Sequence, residues 1–159
     1  MPKSAITCDL HLGITAPKKI AALAEEIAAA QPDLTILAGD LGEPIERFRD
    51  CLALFSEVPG ARAVLAGNHD VWAHGQRSAD LWERLLPEAT RTAGMLWLEG
   101  ADWRQNGCAV VSSLAWYDYS AADPGLPPFT PAYYAIHKRD YNNDGNYIDW
   151  PWSDVDFAA

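Results

Sequence analysis

Three short apolar runs in the first half of the chain each end abruptly in small or polar residues, and this repeated switch frames everything downstream. Ile6-Thr7-Cys8 runs into Asp9-Leu10-His11, Leu34-Thr35-Ile36-Leu37-Ala38 into Gly39-Asp40, and Ala63-Val64-Leu65-Ala66 into Gly67-Asn68-His69-Asp70. Runs of this kind, bounded by residues that cannot be buried cheaply, predict buried strands that open into loops. Between them the pattern takes a helical period. Thr15-Ala16-Pro17 supplies a start, with a capping hydroxyl and a proline tolerated in the first turn. Ile20, Leu23, Ala24 and Ile27 then form one apolar stripe, which Pro32 stops. Pro44 opens a second helix whose Ile45, Phe48, Leu52 and Phe55 again share a face before Pro59-Gly60 breaks it. Strand ends recurring about every thirty residues match the period of repeated βαβ units. The order β-α-β-α-β predicts a layered α/β fold with right-handed crossovers, which places the three strand ends on one edge of the sheet.

The second half is less regular. Ser78 is expected to cap a short helix carrying Leu81, Trp82, Leu85 and Leu86, with Pro87 ending it. Met95-Leu96-Trp97-Leu98 and Cys108-Ala109-Val110-Val111 read as two more strands, with Asn106-Gly107 as a hairpin-type turn between them. The prolines from Pro124 to Pro131 argue against regular helix or central strand, and the Trp and Tyr residues around them predict a long loop packed by aromatic contacts. Ser153, followed by Asp154 and Asp156, reads as a helix start with acids in its first turn. Ala159 follows within a few residues, so residues 1–159 are expected to form a single domain cut short at its C-terminus.

Composition narrows the function classes. At 159 residues and 49% hydrophobic, the chain can bury one core. A net charge of −10 offers no attraction to nucleic-acid backbones or anionic membranes. No apolar run approaches the roughly 20 residues needed to span a bilayer. Cys8, Cys51 and Cys108 lack metal-finger spacing, and an odd number of thiols suits a reducing, cytoplasmic setting. Cys8 is expected to be a small core residue, and the seven Trp and six Tyr to be core fillers and loop anchors. Of these, Trp72, Trp116, Tyr117 and Tyr119 lie close enough in sequence to strand ends to wall a pocket.

The strand-end residues carry the candidate chemistry. Asp and Asn supply hard oxygen ligands and His supplies nitrogen, a mixture suited to Mn, Fe, Zn or Co rather than calcium. Asp9 and His11, two apart on an extended segment, face one side and can hold one ion together. Asp40, on the middle strand, is placed to bridge a pair of ions about 3.5 to 4 Å apart, the separation that clamps both oxygens of an in-line phosphoryl displacement. Asn68 offers a neutral oxygen to the second ion. His69 is then free to protonate a leaving alkoxide, with Asp70 as the carboxylate that orients its ring.

In order and spacing, Asp9-x-His11, Gly39-Asp40 and Gly67-Asn68-His69-Asp70 resemble the first three motifs of the calcineurin-like metallophosphoesterases, over about the first half of the chain. The resemblance implies a four-layer α/β sandwich, of which this chain would hold the first half to two-thirds. It also implies two divalent transition metal ions and hydrolysis of a phosphate mono- or diester by a metal-activated hydroxide. Asp9, His11 and Asp40 would bind the first ion, Asp40 and Asn68 the second, and His69 would act on the leaving group. The family pattern continues with a strand-end His and a Gly-His-x-His that are not found here. The remaining histidines follow no apolar strand: His74 reads as exposed or substrate-facing and His137 as a surface group. The second ion would therefore keep only two ligands from this chain, and apolar sheet or helix surface would be left open to self-association. The alternative is a non-catalytic remnant of the fold that binds a metal or a protein partner.

Overall fold

Parallel pairing of four strands, β1 (Ser4–Thr7), β2 (Leu34–Ala38), β3 (Ala61–Leu65) and β4 (Leu96–Trp97), builds the main sheet in the order β1-β2-β3-β4. The computed structural model describes residues 2–121, 125 and 130–159. Alternation along the strands assigns the two faces. Leu37 and Val64 point into the larger core with Ile20, Ala24 and Ile27 of α1 (Pro17–Ala29) and with Phe48, Cys51 and Leu52 of α2 (Ile45–Leu54). Leu34, Ile36 and Ala63 point the other way, onto Leu98, Trp103 and Val110. Ile6, in register with Ile36, is 67% exposed, so this second face is covered only in part among the described residues.

Both crossover helices carry the stripes read from the sequence, but the hydroxyl of Thr15 does not cap the first. Ala16 is the N-cap of α1 without a side-chain bond, and Pro17 alone starts the helix. Pro87 does not end its helix either. After α3 (Ser78–Asp80) the backbone widens into a π turn, Leu81–Leu85, with the N–H of Leu86 bonded to the carbonyl of Leu81, and continues as α4 (Leu86–Thr92). Proline has no N–H to give and its ring crowds the preceding turn, and the wider turn relieves both problems. Ser78 is no cap: its hydroxyl accepts from the N–H of Asp149 at 3.1 Å, and its own N–H donates to that carboxylate at 2.7 Å.

Asn106-Gly107 does form a hairpin turn, with φ of 50° and 77°. It joins β5 (Trp103–Gln105) to β6 (Cys108–Val110), whereas Leu96–Trp97 pairs with β3 in the main sheet. Most of the proline-rich stretch lies outside the described residues. Its last member, Pro131, is the first residue of α5 (Pro131–Tyr141), where the missing N–H costs nothing and Thr130 caps the helix by accepting from Tyr133. The expected loop is thus partly helical, with α6 (Asp144–Tyr147) following, and Ser153 caps α7 (Asp154–Ala158) as expected. Cys8 is exposed rather than buried, because the strand ends at Thr7. Among the described residues no helix is long and apolar enough to cross a membrane.

Candidate active site

The loops leaving β1 and β2 are locked to each other by backbone bonds. The N–H groups of Asp9 and His11 donate to the carbonyls of Gly39 and Asp40, at 3.1 and 2.8 Å. Asp9, His11 and Asp40 all sit at positive φ, 55°, 43° and 54°. That region is costly for side chains larger than glycine, and such strain gathers where geometry is held for function. Gly39, at φ 82°, packs so closely on the Gly67 backbone that a Cβ would collide with it, and a Cβ on Gly67 would strike the Asp40 carboxylate. The two glycines let the tips of β2 and β3 approach.

The side chains then converge. His11 Nε2 lies 3.9 Å from Asp9 Oδ1 and 3.9 Å from Asp40 Oδ2. The other Asp40 oxygen accepts from the His69 N–H at 3.0 Å. Ligand atoms of His11, Asp40 and His69 all fall within 4.8 Å of one another. Burial raises the Asp40 carboxyl, while the His69 N–H and the two imidazoles pull it back down and Asp9 adds to the rise. A carboxylate held at such cost between imidazoles fits a cation, and this donor set of oxygen and nitrogen suits a transition metal.

Asn68 and His69 follow on a short 3-10 turn, His69–Val71. The His69 ring packs against Trp72, tilted by 31° with centroids 3.7 Å apart, and meets His11 edge-on at 4.7 Å. Its Nδ1 is 3.5 Å from Glu43 Oε1. Asp70, expected to orient this ring, turns the other way. Its buried carboxylate accepts from the N–H groups of Asp40, Leu41, Gly42 and Gly67, at 2.8, 2.9, 3.4 and 2.9 Å. Burial pushes it up to about 7 against those backbone bonds, with the charge of Asp40 adding to the rise. Asp70 thus fastens the β2 loop to the β3 loop, and Glu43 is the carboxylate beside the histidine. A charged residue three positions after Asp40, in a loop that has to reach the same sheet edge, was the available signal for Glu43.

Asn68 is committed at one end. Its Nδ2 donates to Asp144 Oδ1 at 2.8 Å, across 76 residues of chain. Asp144, 1% exposed, also accepts from Trp72 Nε1 at 2.7 Å and Tyr117 Oη at 2.8 Å. Of the aromatic residues considered for a pocket wall, Trp72 touches the site and Tyr117 reaches it through Asp144. Trp116 and Tyr119 donate to Asp154, and Trp116 with Tyr117 also lines a cavity beside Asn68. Asn-Asn-Asp-Gly at 142–145 reads as a turn in sequence, so nothing local marks Asp144. His74 is exposed, and His137 is half-buried against Tyr133 and Asp140.

A parallel sheet whose neighbouring strand tips bring His11, Asp40 and His69 together defines a layered α/β protein with an edge that could hold a metal ion. The chain matches the family model described as calcineurin-like phosphoesterase over residues 3–154, nearly its whole length, and belongs to that family. Its fold is similar to that of a phosphopantetheinyl hydrolase from Mycobacterium tuberculosis, with a TM-score of 0.74 at 22% identity over 97% of this chain. It spans 58% of that protein's length, so the metallophosphoesterase-type fold is present here in part. Comparison with curated proteins finds no match.

Proposed function

We propose that this chain carries a metal-dependent phosphoesterase site that hydrolyses a phosphate mono- or diester, in a cytoplasmic setting. The observation that supports it best is the convergence of His11, Asp40 and His69 within 4.8 Å, with Asp9 3.9 Å from His11. Asp9, His11 and Asp40 would hold one divalent transition metal ion, Mn, Fe, Zn or Co. Asp40 and Asn68 would serve another. When bound, the ions supply Lewis acidity toward a phosphoryl oxygen and lower the pKa of water.

The protein's own groups do the rest. His69 donates a proton to the departing oxygen of the substrate ester. Trp72 fixes the plane of its ring, and Glu43 stabilises the charged imidazolium. Asp70 takes no part in proton transfer and keeps the loops of β2 and β3 in register. The exposure of Ile6 on the second face of the sheet, which is covered only in part among the described residues, supports self-association of two copies. Turnover of p-nitrophenyl phosphate and its bis ester by the purified chain, with each of the four ions in turn, tests the activity. Metal-dependent turnover that disappears in Asp40→Asn is expected. No turnover with any ion, together with a single weakly held ion per chain, would favour a metal- or partner-binding role without catalysis.

A further inference from the structure

We infer that Asp144 is a positioning residue that sets which end of the Asn68 amide faces the metal centre, an inference that rests on the reading just given. An asparagine amide has an oxygen that can ligate a cation and an NH2 that repels one, and turning over about χ2 exchanges them. In an open loop both orientations would be populated. Here the choice is made by the partner. Trp72 Nε1 can only donate, and it lies 2.7 Å from Asp144 Oδ1, so that oxygen is an acceptor. Tyr117 Oη receives a bond from Asn142 Nδ2 at 2.7 Å and delivers its proton to Asp144 Oδ2 at 2.8 Å, so the second oxygen is an acceptor too.

A carboxylate that accepts on both oxygens can face only the NH2 of Asn68. An amide oxygen turned toward Asp144 Oδ1 would set two acceptors 2.8 Å apart. The Oδ1 of Asn68 is therefore turned away from Asp144. The carboxylate is itself held: it is 1% exposed, and its backbone N–H donates to Asn142 Oδ1 at 2.8 Å. Groups behind a ligand that fix its orientation typically change metal affinity about 10–100-fold. The C-terminal segment thus contributes to the strand-edge site without supplying a ligand to it.

The test is Mn2+ binding to the full chain, measured by electron paramagnetic resonance of the free ion, for wild type, Asp144→Ala, Asn68→Asp and the double variant. Asp144→Ala is expected to weaken binding about 10–100-fold. Asn68→Asp alone should bind no more tightly than wild type despite its added charge, because its carboxylate faces that of Asp144. This arm stands even if Asp144→Ala does not fold. In the double variant both ends of residue 68 are oxygen and the opposing carboxylate is gone, so binding should return to within about threefold of wild type. A purely structural role for Asp144 instead gives Asn68→Asp the same effect in both backgrounds. That result, wild-type affinity in folded Asp144→Ala, or tighter binding by Asn68→Asp alone overturns the inference and leaves the metal site standing. Absence of Mn2+ binding by the wild-type chain overturns both.

Discussion

Asp70 and Asp154 anchor the two halves of the molecule, one with backbone partners and the other with side chains. Asp70 collects four N–H groups from the loops after β2 and β3, which parallel pairing has already brought side by side. Asp154 collects Trp116 Nε1 at 2.6 Å, Lys138 Nζ at 2.9 Å and Tyr119 Oη, which come from a loop and from α5. Lys138 in turn lies over the Trp116 and Tyr117 rings, 4.5 and 3.9 Å from their centroids. Regular pairing makes the first arrangement local to a sheet edge. The second is assembled from aromatic edges around an acid. The lesson is that the N-terminal half builds the site largely through its backbone, while the C-terminal half joins it largely through long-range side-chain bonds, Asp144 among them, with one backbone bond from the Ala73 N–H to the Tyr147 carbonyl at 2.7 Å.

Substitutions can separate these two modes, beginning with the largest effect. Replacing His69 by Asn should lower kcat about 10²–10⁴-fold on an alkyl phosphate, the range for loss of a general acid. An aryl phosphate, whose leaving group needs no proton, should lose much less. Equal losses on both substrates would place His69 outside proton transfer. Asp70→Ala should destabilise the fold by about 3–5 kcal/mol in urea, since it strands buried N–H groups at the strand tips. Stability unchanged within error would refute the loop-fastening role.

Smaller effects are expected in the C-terminal half. Asp154→Ala should cost about 2–3 kcal/mol, because Lys138, only 9% exposed in its side chain, loses its carboxylate partner. If the halves are held as described, near-ultraviolet circular dichroism from the Trp116 cluster should change more than the far-ultraviolet signal. The pH dependence of the same residue is gentler still. Burial raises Asp154, but bonds from Tyr119, Lys138 and Trp116 outweigh it and leave the carboxyl below its ordinary range. A depressed acid stabilises the folded state above its unfolded value and loses that contribution as pH falls through the folded one. Wild type should therefore lose stability on acidification below about pH 4 more steeply than Asp154→Asn. Parallel curves would show that the bond network does not hold the charge.

The first half was legible because apolar runs, helical stripes and prolines all agreed there. β2 and β3, α1, α2 and the tips carrying Asp9, His11, Asp40 and Asn68 follow from that agreement. The errors there and just beyond came from side chains that met nonlocal partners and, at Pro87, from a local change of helix type. Ser78 looked like a cap, but Asp149 had claimed it. Asp70 looked like the partner of His69, but four backbone groups satisfied it first. Pro87 looked like a stop, but a π turn absorbed it. In the second half the pattern carried less, since Trp103–Gln105 is a strand of only three residues and α5 has no buried face to give it a period. Asp144 acts across 76 residues and has no local signature at all.

The most direct test of a shared cationic centre is a calorimetric titration of the wild-type chain and of Asp40→Asn with Mn2+. The wild-type chain should bind the ion with a loss of affinity in Asp40→Asn of at least about tenfold, while its urea midpoint stays close to wild type. Equal affinity in the two proteins would mean that the side chains at the strand tips do not hold a common ion.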